Sequence, residues 1–552
     1  MKSAYISFQK PSSFRRRFAS ILFSLVILAA AAHAQVVSNG ITLSTDVAGF
    51  RLFPINGTGT VLVNSNSTLR NASSNTPTLL ISRTNHTTND TWFITNNGLM
   101  TNSGTTDRSQ VFDVQIGNYT FVNNASGVMA INPSSTFAVF RSSQFTNAKS
   151  GVITNYGLMQ GLNSPSIVNL AHGAFTFHNE GTVRGSISHY GGDNGSLTVN
   201  QVAGEITANA ATNFVYALYS AATTSAVNVS GGKITKDLIF EGSNSVNAVN
   251  LSGGQINGNI VFNSSSSTNS VLVTGGGLNG NISFSNSTGA VNFDRGDAYS
   301  YTNIISGSGR LTNSSGTTTL TANNTYSGST TINGGTLIVA SGGSISSNSI
   351  ATVGSGAHLK VNGSAGAVTV NGMLSGSGTV GAVTLNSGGT LAVGNSPGQM
   401  NAESATWNAG STFQFEIINA TGTAGVDWDF LSVAGILDLT SISSANKMNL
   451  TVLSTGLANY AASTDYTWVF AKAASLTGAE SWISGLNVTD RFTIESTGFN
   501  GGTQPNGGFQ VVTGTDGGYA TLSLRAVPEP GSASLVALGL ATLLLRKRRC
   551  RR

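Results

Sequence analysis

Apolar and polar residues alternate over short stretches of this chain, and the stretches repeat. Between Ala226 and Phe284 it reads AVNVSGGKITKDLIF, then AVNLSGGQINGNIVF, then SVLVTGGGLNGNISF. The period is 22 residues: Phe240, Phe262 and Phe284 align, as do Ile234, Ile256 and Leu278. Val227 and Val229 share one face of a segment, and Leu238 and Phe240 share one face of the next. Successive side chains of a strand point to opposite sides, so each segment is expected to be a strand with one buried face. The Gly-Gly pair between segments allows a positive φ and a sharp bend. One such unit cannot bury its own apolar row, but units stacked on one another make a continuous core. The pattern predicts an all-β fold, a parallel β-solenoid in which each aliphatic sits above its equivalent.

Neighbouring segments look like less regular rungs. Ile94-Thr95-Asn96-Asn97-Gly98-Leu99-Met100 recurs as Ile153-Thr154-Asn155-Tyr156-Gly157-Leu158-Met159, and Phe177-His178-Asn179-Glu180-Gly181-Thr182-Val183 is a looser copy. Asn before a Gly turn suits a corner, and stacked Asn side chains are expected to form an amide ladder. A leucine-rich repeat has a similar period, but its Leu-x-x-Leu-x-Leu-x-x-Asn pattern is missing. The solenoid is expected over residues 35–400. From about Asn401 the rhythm lengthens and aromatics are richer, with Trp407, Trp428, Trp468 and Trp482. Residues 401–525 are therefore expected to be an all-β region capping the solenoid, since an open rung exposes unpaired backbone.

The two ends differ from the rest. Lys2, Lys10, Arg15, Arg16 and Arg17 precede an apolar run from Phe18 to about Ala32. Ala32-His33-Ala34 then places small residues where a signal peptidase reads them, so cleavage is expected before Gln35, with 1–34 as a signal peptide. Arg15-Arg16-Arg17-Phe18 is also loosely similar to a twin-arginine signal. At the other end, Val527-Pro528-Glu529-Pro530 is followed by ASLVALGLATLLL (533–545) and RKRRCRR. That apolar run is shorter than the roughly 20 residues of a comfortable membrane helix, and a basic cluster resists translocation. Residues 527–552 resemble the PEP-CTERM sorting signal of Gram-negative bacteria. The resemblance implies transient inner-membrane insertion, recognition of Pro528-Glu529-Pro530 by an exosortase-type membrane protease, and delivery to the cell surface or extracellular matrix.

Processing would reverse the apparent charge. The full chain is +5 with 27 basic and 22 acidic residues. Five of the basic residues lie in 1–34 and six in 531–552, and neither segment has an acid. Residues 35–530 thus carry 16 basic and 22 acidic groups, about −6. No basic patch with interleaved aromatics remains, which argues against a nucleic-acid partner. The one cysteine, Cys550, is in the tail, so stability must rest on packing and backbone pairing.

Residues 307–341 contain Gly309-Arg310-Leu311, Thr319-Leu320, Asn324-Thr325-Tyr326-Ser327-Gly328 and Asn333-Gly334-Gly335-Thr336-Leu337. They resemble the autotransporter-associated β-strand repeat, which implies a passenger-type right-handed β-helix.

Motifs that carry chemistry are few. Gly394-Asn395-Ser396-Pro397-Gly398 fits Gly-x-Ser-x-Gly, but an elbow needs a helix after the serine and Pro397-Gly398 blocks one, so a turn is expected. Arg295-Gly296-Asp297 matches an adhesion tripeptide and reads better as a solvated turn. His172, His178 and His189 lack tight ligand spacing. Asp427-Trp428-Asp429 is expected to cap a turn rather than bind calcium. No catalytic, cofactor or metal residue is assigned, and no cofactor is expected. The reading is a nonenzymatic exported structural or adhesion protein, with extracellular polysaccharide or a neighbouring cell surface as partner. The alternative is a polysaccharide-active β-helix lyase or hydrolase, which would need carboxylates or bases gathered on one face.

Overall fold

A computed structural model describes residues 34–528, apart from 37–39, 44–46, 49, 53–58, 66, 72–76, 82–90, 104–109, 115–116, 132–137, 143–149, 162–167, 172, 190–194, 210–213, 219–222, 286, 455 and 479–483. The described residues are all-β, in stacked parallel strands, with two single 3-10 turns and no α-helix among them. They form two compact units. One runs to residue 294 and includes 303–310; the other comprises 295–302 and the chain from 311 onward.

In the first unit each rung contributes a strand to each of three parallel sheets. The 22-residue repeat shows how. Val246–Leu251 pairs with Thr224–Val229 on one side and Thr268–Val273 on the other. Gln255–Ile256 pairs with Lys233–Ile234 and Gly277–Leu278 in the second sheet. Ile260–Phe262 pairs with Asp237–Phe240 and Ile282–Phe284 in the third. The register places Val249 opposite Val227 and Val271, and Ile256 opposite Ile234 and Leu278. Val249, Leu251, Ile256, Ile260 and Phe262 are fully buried. The strands form because alternation gives each one an inward apolar row that only the neighbouring rungs can cover. At the corner, Gly232, Gly254 and Gly276 all hold φ between 61° and 66°. A Cβ on Gly276 would lie 2.7 Å from the Gly253 carbonyl oxygen, so both conformation and stacking require glycine there.

Phe240, Phe262 and Phe284 stack, with centroids 4.8 and 5.1 Å apart and planes inclined by 22° and 12°. The stack ends at Phe284, which pairs with Gly307 in the next rung. A Cβ on Gly289 or Gly309 would fall 2.2 or 2.3 Å from the Phe284 ring, so these glycines make room for it.

The expected amide ladder is present and longer than the repeated motif. Asn96 Nδ2 donates to Asn123 Oδ1, Asn123 to Asn155, Asn155 to Asn179, and Asn179 to Gln201 Oε1, each at 2.8 Å. All five side chains are fully buried. The sequence separations are 27, 32, 24 and 22 residues, so the less regular rungs keep their corner while loop length varies. Asn123 and Gln201 lie outside the copies of that motif. Gln201 belongs because its longer side chain still reaches the ladder and closes it on the Ala203 carbonyl.

The second unit is also parallel for most of its length. Leu337, Leu359, Leu374, Leu391, Phe413 and Leu450 occupy one continuous register row, and all are buried. Parallel pairing continues across the boundary expected at Asn401: Gln399–Trp407 pairs with Thr379–Leu385 and with Phe430–Asp438. The strands lengthen there, but a longer strand alternates and stacks by the same rule. Among the described strands, antiparallel ladders occur at Tyr519–Ala526, which pairs with both Tyr466–Thr477 and Phe509–Asp516, and single antiparallel bridges join Gly376 to Gly394, Ile417 to Trp428 and Asn487 to Val512. Trp407, Phe413 and Phe470 form one buried aromatic cluster, and half-buried Tyr466 stacks on buried Trp468, which lies near buried Phe499. Trp482 lies outside the described residues.

Candidate functional site

The Gly394–Gly398 segment is a turn leading into the strand Gln399–Trp407, as Pro397-Gly398 suggested. Gly394 and Ser396 both hold positive φ, 85° and 72°. The buried carboxylate of Asp429 holds the turn down. Its Oδ1 accepts the Gly398 N–H at 3.0 Å, and its Oδ2 accepts the Glu416 N–H at 2.9 Å. Asp429 therefore ties the turn to the end of the strand Thr412–Glu416. Burial pushes its carboxyl up to about 7, against the opposite pull of the two N–H donors.

Beneath the turn is a hollow of about 240 Å³. Lys360, Ser375, Asn395, Ser396, Gln414, Glu416 and Asp429 supply its polar lining. Stacking creates it: Lys360, Ser375, Ala392 and Gln414 are register neighbours on successive strands. Ser396 Oγ donates to Glu416 Oε2. His358 Nε2 pairs with Ser375 Oγ at 2.7 Å, and burial, aided by Lys360, lowers the pKa of that imidazole. Two hydroxyls, two carboxyl groups, two amides and an ammonium thus converge on one surface depression. Such a set can bind a polyhydroxylated molecule, or place a hydroxyl beside a carboxylate base. Glu416 and Asp429 were not linked to Ser396 by sequence reasoning. They lie 20 residues from Ser396 and 31 from Gly398, and no local pattern joins them.

The other motifs resolve simply. Arg295 donates to both carboxylate oxygens of Asp297, at 2.8 and 2.9 Å, and lies 4.2 Å from the Tyr299 ring centroid. The hydrogen bonds from Arg295 hold the Asp297 carboxyl below its ordinary range. The tripeptide lies inside the strand Thr288–Tyr301 rather than in the solvated turn expected, with Arg295 buried rather than presented. His189 is fully buried and edge-on to Phe175, and His178 lies beside Asn200 on the outside of another sheet. The structure thus separates these two, and His172 lies outside the described residues. Asp427 Oδ2 accepts the Thr423 N–H at 2.8 Å, the expected turn cap, whereas Asp429 clamps the 394–398 turn instead. Among the described residues no three His, Cys, Asp or Glu are grouped to hold a metal ion.

Of the processing residues, Ala34 and Gln35 lie in the strand Ala34–Val36, paired with Phe50–Leu52. Val527 follows the last strand, its N–H bonded to the Gly508 carbonyl, and Pro528 comes next. Ala32, Glu529, Pro530 and the apolar run 533–545 lie outside the described residues.

Residues 313–339 match the family model of the Passenger-associated-transport-repeat. No curated protein matches the chain. The matched segment occupies rungs of the second unit. Asn313 is fully buried and donates to the Gly334 carbonyl at 2.8 Å. Tyr326 is buried, its hydroxyl 2.6 Å from Thr330 Oγ1, which in turn meets Ser349 Oγ at 2.8 Å. Gly335 holds φ of 62°, and a Cβ there would meet the Gly316 carbonyl at 2.1 Å. The repeat's polar signature is thus internal architecture. Together, the repeat and the stacked parallel strands make this a passenger-like β-helix protein, and the transport repeat implies export to the cell surface or the medium.

Proposed function

We propose that the mature chain is a nonenzymatic scaffold or adhesin of the cell surface or extracellular matrix, which associates with polysaccharide or neighbouring cells and contributes to biofilm. The observation that supports this most is the transport repeat at 313–339, built into a parallel ladder whose Asn, Ser and Thr side chains serve stacking. In this reading residues 1–34 are removed on export. The tail at 527–552 is read by an exosortase-type protease at the inner membrane of a Gram-negative cell. Binding would be spread over many rungs, so deleting rungs should weaken it gradually. The test is the purified mature protein against a polysaccharide panel, with reducing-end and unsaturated-product assays alongside. Retention without turnover supports the scaffold.

One observation favours a second reading, a polysaccharide hydrolase. The hollow under the 394–398 turn gathers Ser396, Glu416 and Asp429, the kind of acid pairing in a depression that such an enzyme needs. Sustained release of reducing ends, abolished by Glu416→Gln, would establish it in place of the scaffold.

A further inference from the structure

Eight consecutive six-residue strands, from Thr91–Asn96 to Thr268–Val273, form one face of the first unit. None contains an Asp, Glu, Lys or Arg. The other two sheets do: Asp113, Arg141 and Asp237 lie in strands of one, and Arg184, Glu205 and Lys233 in strands of the other. Over these eight rungs the charged strand residues therefore lie on the other two sheets, and the uncharged run ends at the next strand of its own sheet, Thr288–Tyr301, which carries Asp294.

The uncharged face is organised. In-register pairing sets its outward side chains in columns about 4.8 Å apart along the stack. One column runs Thr120, Val152, Thr176, Thr198, Ala226, Ala248. In another, Asn250 Nδ2 donates to Asn228 Oδ1 and Asn228 to Asn200, each at 2.8 Å, and Asn200 meets His178 at 3.2 Å. A primary amide has two donor hydrogens and two acceptor lone pairs. Ladder bonding of this kind engages one of each and leaves the others for a ligand. Hydroxyls and amides are interspersed with exposed apolar side chains, Phe93 at 46 %, Val152 at 39 % and Val246 at 52 %.

Resting on the reading of this protein as a polysaccharide-associated scaffold, we propose that this eight-strand face is its glycan-docking surface and that its ligand is an uncharged polysaccharide. Charge makes the selection. An anionic polymer entering the face would lose hydration and meet no cation, which disfavours it strongly. A neutral sugar chain brings hydroxyls that both donate and accept, matched to amides and hydroxyls, and C–H surface for the exposed Phe and Val. Size argues against a second copy of the chain. Eight strands at about 4.8 Å, each roughly 20 Å long, give a face about 34 by 20 Å, under about 700 Å². A stable protein–protein interface buries about 800 Å² per partner.

The test uses the full chain with cellulose and xyloglucan as neutral probes and alginate as the anionic one. Thr120→Glu/Thr198→Glu places two charges on the face, separated by intervening rungs. Gln255→Glu is the control on another sheet. The double variant should lose neutral-glycan binding by about tenfold or more, while the control keeps it. Native protein should leave alginate unbound. A second variant guards against misfolding: Thr120→Cys, alkylated after purification with a bulky maleimide, should lose binding only on alkylation, with alkylated native protein as reference. Native protein that binds neutral glycan while the face variants bind equally well overturns this inference and leaves the scaffold reading standing. Preference for alginate also overturns the inference. A face variant that alters only self-association identifies a contact between copies instead. Native protein that binds no glycan overturns this inference together with the polysaccharide association on which it rests.

Discussion

Replacing Asn155 with Ala tests whether the buried amide ladder holds the first unit together. Asn155 is fully buried at the middle of the chain of amides. Its Oδ1 accepts from Asn123 Nδ2 at 2.8 Å, and its Nδ2 donates to Asn179 Oδ1 at 2.8 Å and to the Thr182 carbonyl at 3.3 Å. The two neighbours lose unequally. Asn123 Nδ2 still has the Gly127 carbonyl at 3.2 Å, whereas Asn179 Oδ1 loses its ladder donor. One orphaned buried acceptor costs about 1–3 kcal/mol, and the vacated volume adds to this. The expected loss is about 2–4 kcal/mol by denaturant titration. It should also be local, because rungs of a solenoid couple mainly to their nearest neighbours. Amide hydrogen exchange should accelerate around residues 119–183 and remain unchanged around 246–284. Asn118→Ala, on the outer face, is the control. A loss below about 0.5 kcal/mol for Asn155→Ala, or an exchange change spread evenly over both regions, would refute the account.

Phe262→Ala removes the middle ring of the three-ring stack and should cost about 3–5 kcal/mol in denaturant titration; Gly309→Ala, whose Cβ would meet the Phe284 ring, should also lower the melting midpoint, and two unaltered midpoints would contradict the ladder. The Asp429 carboxyl is raised to about 7 in the fold from about 3.8 unfolded, so between those values the folded state holds the extra proton. Its contribution to stability is therefore greatest at acid pH and is lost as pH rises from about 4 to about 7, by on the order of 4 kcal/mol at most. The difference between native protein and Asp429→Asn in unfolding free energy should vary with pH over that window, and a constant difference would refute the assignment. Changing Pro528, Glu529 and Pro530 to Ala should leave the tail attached and the protein in the inner-membrane fraction; normal surface delivery with residues 533–545 removed, seen by mass spectrometry of the mature terminus, would end the exosortase reading.

The sequence alone determined those features in which a local pattern recurs at constant spacing. Phe240, Phe262 and Phe284 stack because a rung of constant length returns each ring to the same place, so a fixed period is itself a statement about three dimensions. The corner glycines followed for the same reason. The amide ladder was half legible. Its Asn-x-Gly corners were visible at Asn96 and Asn155, but Asn123 and Gln201 were not, because Asn123 stands four residues before its glycine, Gly127, and a glutamine takes the place of the asparagine at 201. Only the stacked structure decided the rest. Parallel pairing runs past Asn401 because lengthened strands still present alternating faces, and the pattern carries no mark of where pairing turns antiparallel. Asp429 reads as one acid of an Asp-Trp-Asp turn until the fold sets both its oxygens against N–H groups of two distant segments. The charge-free face is spelled out in the residues of its strands, yet it becomes a surface only when in-register stacking gathers those strands on one side. That register is set by burial of the opposite row, so the side chains hidden in the core decide which polar ones stand together outside.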